Sequence, residues 1–87
     1  EKNNFLNQQS SARINLVLQN KPGSLGKATT TIAKNNGNIS NINFSTRKKD
    51  FFEIVIDIEV RDKNHLNNII AALRLISEIS SLTRIKG

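Results

Sequence analysis

The chain has 87 residues, enough for one domain with one modest core, since a chain of this size buries only about 60–65% of the surface it exposes when unfolded. Hydrophobic residues make up 37% and charged residues 23%, proportions of a globular domain rather than a disordered one. No run approaches the ~18 apolar residues of a membrane span, and no charged-then-apolar leader opens the chain. Cysteine is absent, which excludes disulfide scaffolds, thiolate metal sites and thiol catalysis. Methionine is absent too, and the chain opens on Glu1, so it reads as a piece of something longer.

The net charge of +6 is unevenly placed. Up to Lys49 there are eight Lys or Arg against the single acid Glu1; from Asp50 onward there are five against six acids. The first half therefore favours an anionic partner through its long-range field.

In chain order, the first eleven residues are polar and aperiodic, with Phe5 and Leu6 their only large apolar side chains. They read as the end of a linker, with the domain proper running from 12 to 87. From Ala12 to Gln19, Ile14, Leu16 and Leu18 alternate with Arg13, Asn15, Val17 and Gln19, the period of a half-buried strand. Asn20-Lys21-Pro22-Gly23-Ser24 is a turn by its chemistry, with Ser24 expected as the cap of a helix. Leu25, Ala28, Ile32 and Ala33 then form an amphipathic stripe, and Asn36-Gly37 supplies a left-handed stop.

A second strand places Ile42 and Phe44 against Asn41, Asn43 and Ser45, and Arg47-Lys48-Lys49-Asp50 is a charged hairpin connection. The third strand is the clearest. Phe52, Ile54, Ile56, Ile58 and Val60 face one way, while Phe51, Glu53, Val55, Asp57 and Glu59 face the other. Asp62 caps a second helix with the stripe Leu66, Ile69, Ile70, Leu73 and Ile76. In the tail from Ile79 to Lys86, apolar residues recur every three, at Ile79, Leu82 and Ile85; we assign it as a strand because the architecture needs one there. The order βαββαβ predicts an α+β, ferredoxin-like sandwich, a four-stranded antiparallel sheet with two helices on one face.

Catalytic chemistry has little to work with. His65 is the only histidine and is expected as an exposed residue of a first helical turn. No nucleophile elbow, phosphate loop or dinucleotide fingerprint occurs, and one histidine without cysteine cannot seed a metal site. Glu53, Asp57 and Glu59 share a strand face and read as a charged solvent surface. An RRM-like mode, with bases stacked on aromatics of the open sheet, is disfavoured by those carboxylates and by Arg13, Asn15, Val17 and Gln19, which supply no aromatic. Basic contacts to nucleic acid are instead expected from Lys27, Lys34, Arg47, Lys48 and Lys49. Outward Val17 and Val55 leave the open face mildly apolar, which permits a partner without identifying it. The loop Asn20–Leu25 leads a strand into a helix N-terminus, a seat for a carboxylate or other small anion, and Gly23 lets a ligand approach the backbone.

Asn20-Lys21-Pro22-Gly23-Ser24-Leu25-Gly26-Lys27, with Ile32-Ala33 and Asn36-Gly37-Asn38-Ile39, resembles the opening of an ACT domain. Ile58-Glu59-Val60-Arg61-Asp62-Lys63-Asn64-His65-Leu66, with Ile69-Ile70 and Leu73-Arg74-Leu75-Ile76, is similar to the C-terminal ACT domain of RelA/SpoT-type (p)ppGpp synthetase/hydrolases. The resemblance implies a non-catalytic regulatory module without a cofactor, in a cytoplasmic GTP pyrophosphokinase of the stringent response whose catalytic residues lie in other domains. It implies a homodimer formed edge to edge and an amino-acid ligand near Asn20, Gly23, Ser24 and Leu25, with Asn38 and Ile39. It also implies ribosomal RNA or tRNA as partner of the parent protein. Lys21 stands where many relatives carry Arg, which weakens a bidentate grip on a carboxylate. The alternative is an amino-acid-binding ACT domain of a biosynthetic enzyme. An acylphosphatase-type hydrolase is a distant third, because its phosphate loop wants an arginine where Lys21 stands.

Overall fold

The computed structural model describes residues 10–85. The elements are β1 (Ser10–Gln19), α1 (Ser24–Lys34), β2 (Asn38–Arg47), β3 (Phe51–Val60), α2 (Lys63–Arg74) and β4 (Ile79–Ile85). They form one antiparallel sheet in the order β2-β3-β1-β4, the ferredoxin-like arrangement expected from the sequence. The proposed linker lies outside the described residues except for Ser10 and Ser11, which already belong to β1. Lys86, placed in the last strand by the sequence, also lies outside them.

The alternation in β1 and β3 builds the core. Ile14, Leu16 and Leu18 meet Phe52, Ile54, Ile56, Ile58 and Val60 on the covered face, under Ala28 and Ile32 of α1 and Leu66, Ile69, Ile70 and Leu73 of α2. Register pairs like with like: Ile14 opposes Ile56 and Leu16 opposes Ile54. Each fully buried Leu or Ile contributes about 1.5–3 kcal/mol of transfer free energy, which makes this two-strand, two-helix cluster the main source of stability.

Several local expectations need correction. The cap of α1 is Gly23, in the left-handed region at φ 86°, and not Ser24, which is the first helical residue and fully buried. Ala33 is exposed rather than part of the buried stripe. The left-handed stop lies within the expected Asn36-Gly37 pair, on Asn36, φ 65°. The Asn36 N–H donates to Ala33 O (3.0 Å) and the Gly37 N–H to Ile32 O (2.9 Å), the paired closure that satisfies the last carbonyls of a helix. Gly37 is needed for a different reason: a Cβ there would lie 2.8 Å from both Ile32 and Ile69 side chains. Ile76 lies beyond the end of α2 and is only half-buried.

Both edge strands depart from simple alternation. In β2 the register skips Ser40 and Ser45, and each of these hydroxyls donates to a β3 carbonyl, at Asp57 and Glu53, over 3.3 Å. Such bulges bend a strand and turn its side chains. Phe44 opposes Ile54 and Ile42 opposes Ile56, so both face the covered side as the alternation predicts; at the sheet edge Phe44 is nonetheless 42% exposed, tilted against Phe52 at 5.6 Å between centroids. In β4, Val17 opposes Ser81 while Leu18 opposes Ile79, so Ser80 is skipped. That bulge puts Ile79 and Leu82 on one face despite their spacing of three. Ile85 opposes Arg13 on the other face.

Candidate functional site: the β1–α1 loop and the α1 face

The loop from Asn20 to Gly23 is tied on both sides. The Asn20 N–H donates to Asp50 O (2.9 Å), and its Nδ2 donates to Lys48 O (3.1 Å) and Lys49 O (3.3 Å). Asn20 thus staples the first loop to the β2–β3 hairpin, a structural task that fixes the loop's position. The Ser24 N–H donates to Lys21 O (3.2 Å) and the Lys27 N–H to Gly23 O (2.9 Å). Nothing lies within 4 Å of where a Gly23 Cβ would stand; Gly23 is there for its positive φ, and the space above it is open. Ser24 Oγ is buried without a hydrogen-bond partner. Leu25 is half-buried and packs against the core.

The basic residues are placed differently from one another. Lys27 Nζ is paired with Glu78 Oε2 at 2.7 Å, and this bond holds the Glu78 carboxyl below the usual carboxylate range. Glu78 also accepts at its backbone carbonyl from the Gln19 N–H (2.8 Å), so the α2–β4 connection closes over the end of β1. Sequence reasoning did not single out Glu78, because no local pattern links positions 51 residues apart. Lys34, Arg47, Lys48 and Lys49 are exposed, and the Arg47 guanidinium lies 4.3 Å over the Phe44 ring centroid, a cation–π contact. A groove between α1 and the α2–β4 connection is lined by Gly26, Lys27, Thr30, Lys34, Leu75 and Glu78. Asn20, Gly23, Ser24 and Leu25 do not line it.

Asn38 and Ile39 do not join the loop within one chain. They begin β2 at the opposite end of α1, which is about 16 Å long. There Asn38 Nδ2 donates to Glu59 Oε1 at 2.8 Å, and Ile39 packs on the core.

His65 is not an exposed residue of the first turn of α2. It is 5% exposed; its Nδ1 accepts from the Arg61 N–H (2.9 Å) and its Nε2 donates to Asn35 O (2.6 Å). Its own N–H donates to the capping Asp62 carboxylate (2.8 Å). The imidazole locks the end of α1 to the start of α2. On the open face each carboxylate of β3 has a partner: Arg13 Nε for Asp57 (2.7 Å), Asn15 Nδ2 for Glu53 (2.6 Å) and Asn38 for Glu59. Among the described residues no cluster of three His, Cys, Asp or Glu is placed to hold a metal ion, and no helix is long and apolar enough to cross a membrane.

A four-stranded sheet under two helices, with a glycine-bearing loop leading β1 into α1, is the arrangement of a small regulatory fold, and the profile of the ACT domain matches residues 6–84. The chain belongs to the ACT domain family. In sequence it is similar to the GTP pyrophosphokinase rsh of Brucella suis biovar 1 (strain 1330), 39% identical over 82 residues. The same enzyme of Brucella abortus (strain 2308) is 38% identical over 82 residues. Each match covers 94% of this chain and 11% of the relative, so the chain spans about a tenth of those proteins. In fold it is similar to the ACT domain from the GTP pyrophosphokinase of Chlorobium tepidum, with TM-score 0.77, 24% identity, and 90% and 100% of the two chains covered. The acetolactate synthase small subunit from Thermotoga maritima superposes with TM-score 0.76 at 22% identity, covering 88% of this chain and 48% of that one.

Proposed function

We propose that this chain is the regulatory ACT module of a GTP pyrophosphokinase of the (p)ppGpp synthetase/hydrolase class, acting on catalytic domains elsewhere in a longer cytoplasmic protein. The observation that carries this is the identity of 38–39% to the rsh enzymes across 94% of the chain. Both of those relatives are GTP pyrophosphokinases and neither is an enzyme of amino-acid biosynthesis. A partner that prefers one arrangement of the parent shifts its balance by the difference in affinity.

Docking to ribosomal RNA or tRNA is supported by the basic surface. Lys27 and Lys34 stand on one face of α1, about 10 Å apart, and Arg47, Lys48 and Lys49 are exposed at the hairpin. Pairing of two copies is supported by β2, a ten-residue edge strand with no charge before Arg47, since such an edge is a template for further pairing. Antiparallel pairing of β2 with its twin would bring Asn38 and Ile39 of one copy beside the hairpin of the other. Asn20 ties that hairpin to the Gly23 loop, so the split candidate site would become whole. The open space at Gly23 and the unpartnered Ser24 hydroxyl support an amino-acid carboxylate at that point.

Thermal melting of the chain against each common amino acid, at low and high salt, together with ribosomal RNA binding across the same salt range, tests the two modes. A rise in Tm for one related group of amino acids, lost in Gly23→Asp, supports the ligand site. RNA affinity that falls steeply with salt, and falls further in Lys34→Ala/Lys48→Ala, supports docking. The absence of both effects would sink both modes. The parent assignment fails separately if deleting this module from such a parent leaves (p)ppGpp synthesis and hydrolysis unresponsive to its loss.

A further inference from the structure

His65 is buried, 5% exposed, and is the chain's only histidine. Both ring nitrogens are spent on backbone groups. Nδ1 accepts from the Arg61 N–H (2.9 Å) in the connection between β3 and α2, and Nε2 donates to Asn35 O (2.6 Å) at the C-terminal end of α1. That pair of bonds requires the neutral ring with its proton on Nε2. A second proton turns Nδ1 into a donor, and two N–H groups then face each other across 2.9 Å. The bond to Asn35 survives protonation; the bond to Arg61 does not.

The charged groups on the segments that meet at the ring do not favour a cation there. They are Lys34 in the last turn of α1, Glu59 near the end of β3, Arg61 just beyond it, and Asp62 and Lys63 at the start of α2. Asn38 and Ile39, at the start of β2, add none. Both acids already have partners: Glu59 accepts from Asn38 Nδ2 (2.8 Å) and Asp62 from the His65 N–H (2.8 Å). His65 also lies in the first turn of α2, where the positive end of the helix dipole opposes a further positive charge. The carbonyl end of α1 meets Nε2–H in either state.

We propose that His65 is a pH-sensitive latch, holding the connection between β3 and α2 to the end of α1 while the ring is neutral and letting go of Arg61 when the ring is protonated. The released form then takes up a proton more readily than the latched one. Stability is therefore full above the range in which free imidazole titrates, about pH 6.5. It falls as pH drops through and below that range, by up to about tenfold in the folding constant per pH unit. Asp and Glu ordinarily titrate near about pH 4 and Lys near about pH 10. Between about pH 7.5 and pH 5.5 the ring is thus the one side chain that changes charge. The latch stands on these contacts alone and is independent of the regulatory reading given above.

The test is urea unfolding of the 87-residue chain and of His65→Asn in steps from about pH 7.5 to pH 5.5, with amide NMR spectra of the folded, unsubstituted chain over the same range. The expected result is a folding constant that drops about tenfold across the window in the unsubstituted chain. In His65→Asn it stays level, because the amide oxygen offers Arg61 an acceptor that does not titrate. In the spectra the Arg61 amide shifts with pH, while the Gly37 amide, bonded to Ile32 O (2.9 Å) in the closure of α1, holds its position. This second readout decides the matter if His65→Asn does not fold. Three outcomes overturn the proposal: a level folding constant in the unsubstituted chain, an equal fall in both chains, or an Arg61 amide that stays still or moves only together with that of Gly37.

Discussion

β3 and β2 are both ten residues long and lie side by side, yet every second residue of β3 is buried and no residue of β2 is. The difference comes from neighbours. β3 is hydrogen-bonded on both sides, to β1 and β2, whereas among the described residues β2 is bonded to β3 alone. A strand held on both sides, with helices over one face, cannot slip by one residue without turning its whole apolar set to water. A strand held on one side tolerates extra residues, and β2 accepts two, Ser40 and Ser45. The inner strands therefore carry stability, and the edge keeps the freedom that pairing or binding requires. Truncation should separate the two most widely. Ile56→Ala, at a fully buried site, is expected to cost about 3–4 kcal/mol. Phe44→Ala, at a site 42% exposed, should cost under about 1 kcal/mol on area alone. Urea denaturation of both variants checks this; equal losses would mean that the edge is as essential to the fold as the centre.

The same contrast governs what could be read from the sequence. β1, β3 and the stripes of both helices, apart from Ala33 and Ile76 at their C-terminal ends, were legible because their periodicity is imposed by burial on one side. Ile14, Leu16, Leu18 and the five alternating residues of β3 all face the core as expected. Phe44 faces the covered side with Ile42 as expected, but its exposure was not legible, because that depends on β2 lying at the edge of the sheet, and the bulges at Ser40 and Ser45 leave no local mark among other polar residues. The spacing of three in β4 looked like neither helix nor strand for the same reason: one skipped residue, Ser80, converts three into two. Long-range polar partners were out of reach altogether. Nothing near His65 in the chain announces that Asn35 O will accept from its ring, and nothing near Lys27 announces Glu78. Of the candidate site, the loop's position and the open space at Gly23 followed from turn chemistry. The separation of Asn38 and Ile39 from it did not, because that depends on which end of the sheet each element reaches.

Two substitutions probe how the end of α1 is fastened to α2 and to β2. His65→Ala would leave the Arg61 N–H and the Asn35 carbonyl without their partner. The expected loss is about 2–3 kcal/mol, a cost no exposed histidine would show. Calorimetric melting distinguishes the two; a change within about 0.5 kcal/mol would mean that water replaces both bonds. Gly37→Ala tests the crossing from α1 into β2. The new methyl would press on Ile32 and Ile69, and overpacking of that kind costs about 1–2 kcal/mol. If the alanine variant instead melts at the wild-type temperature, the helices yield more readily than the close approach suggests.

The smallest effect concerns charge, and it compares an ion pair across the inner strands with one at the periphery. Arg13 holds the Asp57 carboxyl below the ordinary carboxylate range, chiefly through its hydrogen bond, with desolvation opposing. Lys27 does the same for Glu78. A carboxyl whose folded-state pKa is depressed contributes stability above its unfolded value, near pH 4, and that contribution disappears as pH falls through the folded value. Arg13→Gln should therefore lower stability slightly at neutral pH, and its gap from the parent chain should close between about pH 4 and pH 2. Lys27→Gln should behave in the same way through Glu78. Both pairs lie at the surface, so added salt should shrink both gaps. Urea midpoints across that pH range provide the measurement. A gap that persists at pH 2 would mean that the arginine acts through the packing of its stem on β1 rather than through its charge. The open face would then owe its order to apolar contact along the strand and not to the cross-strand ion pair.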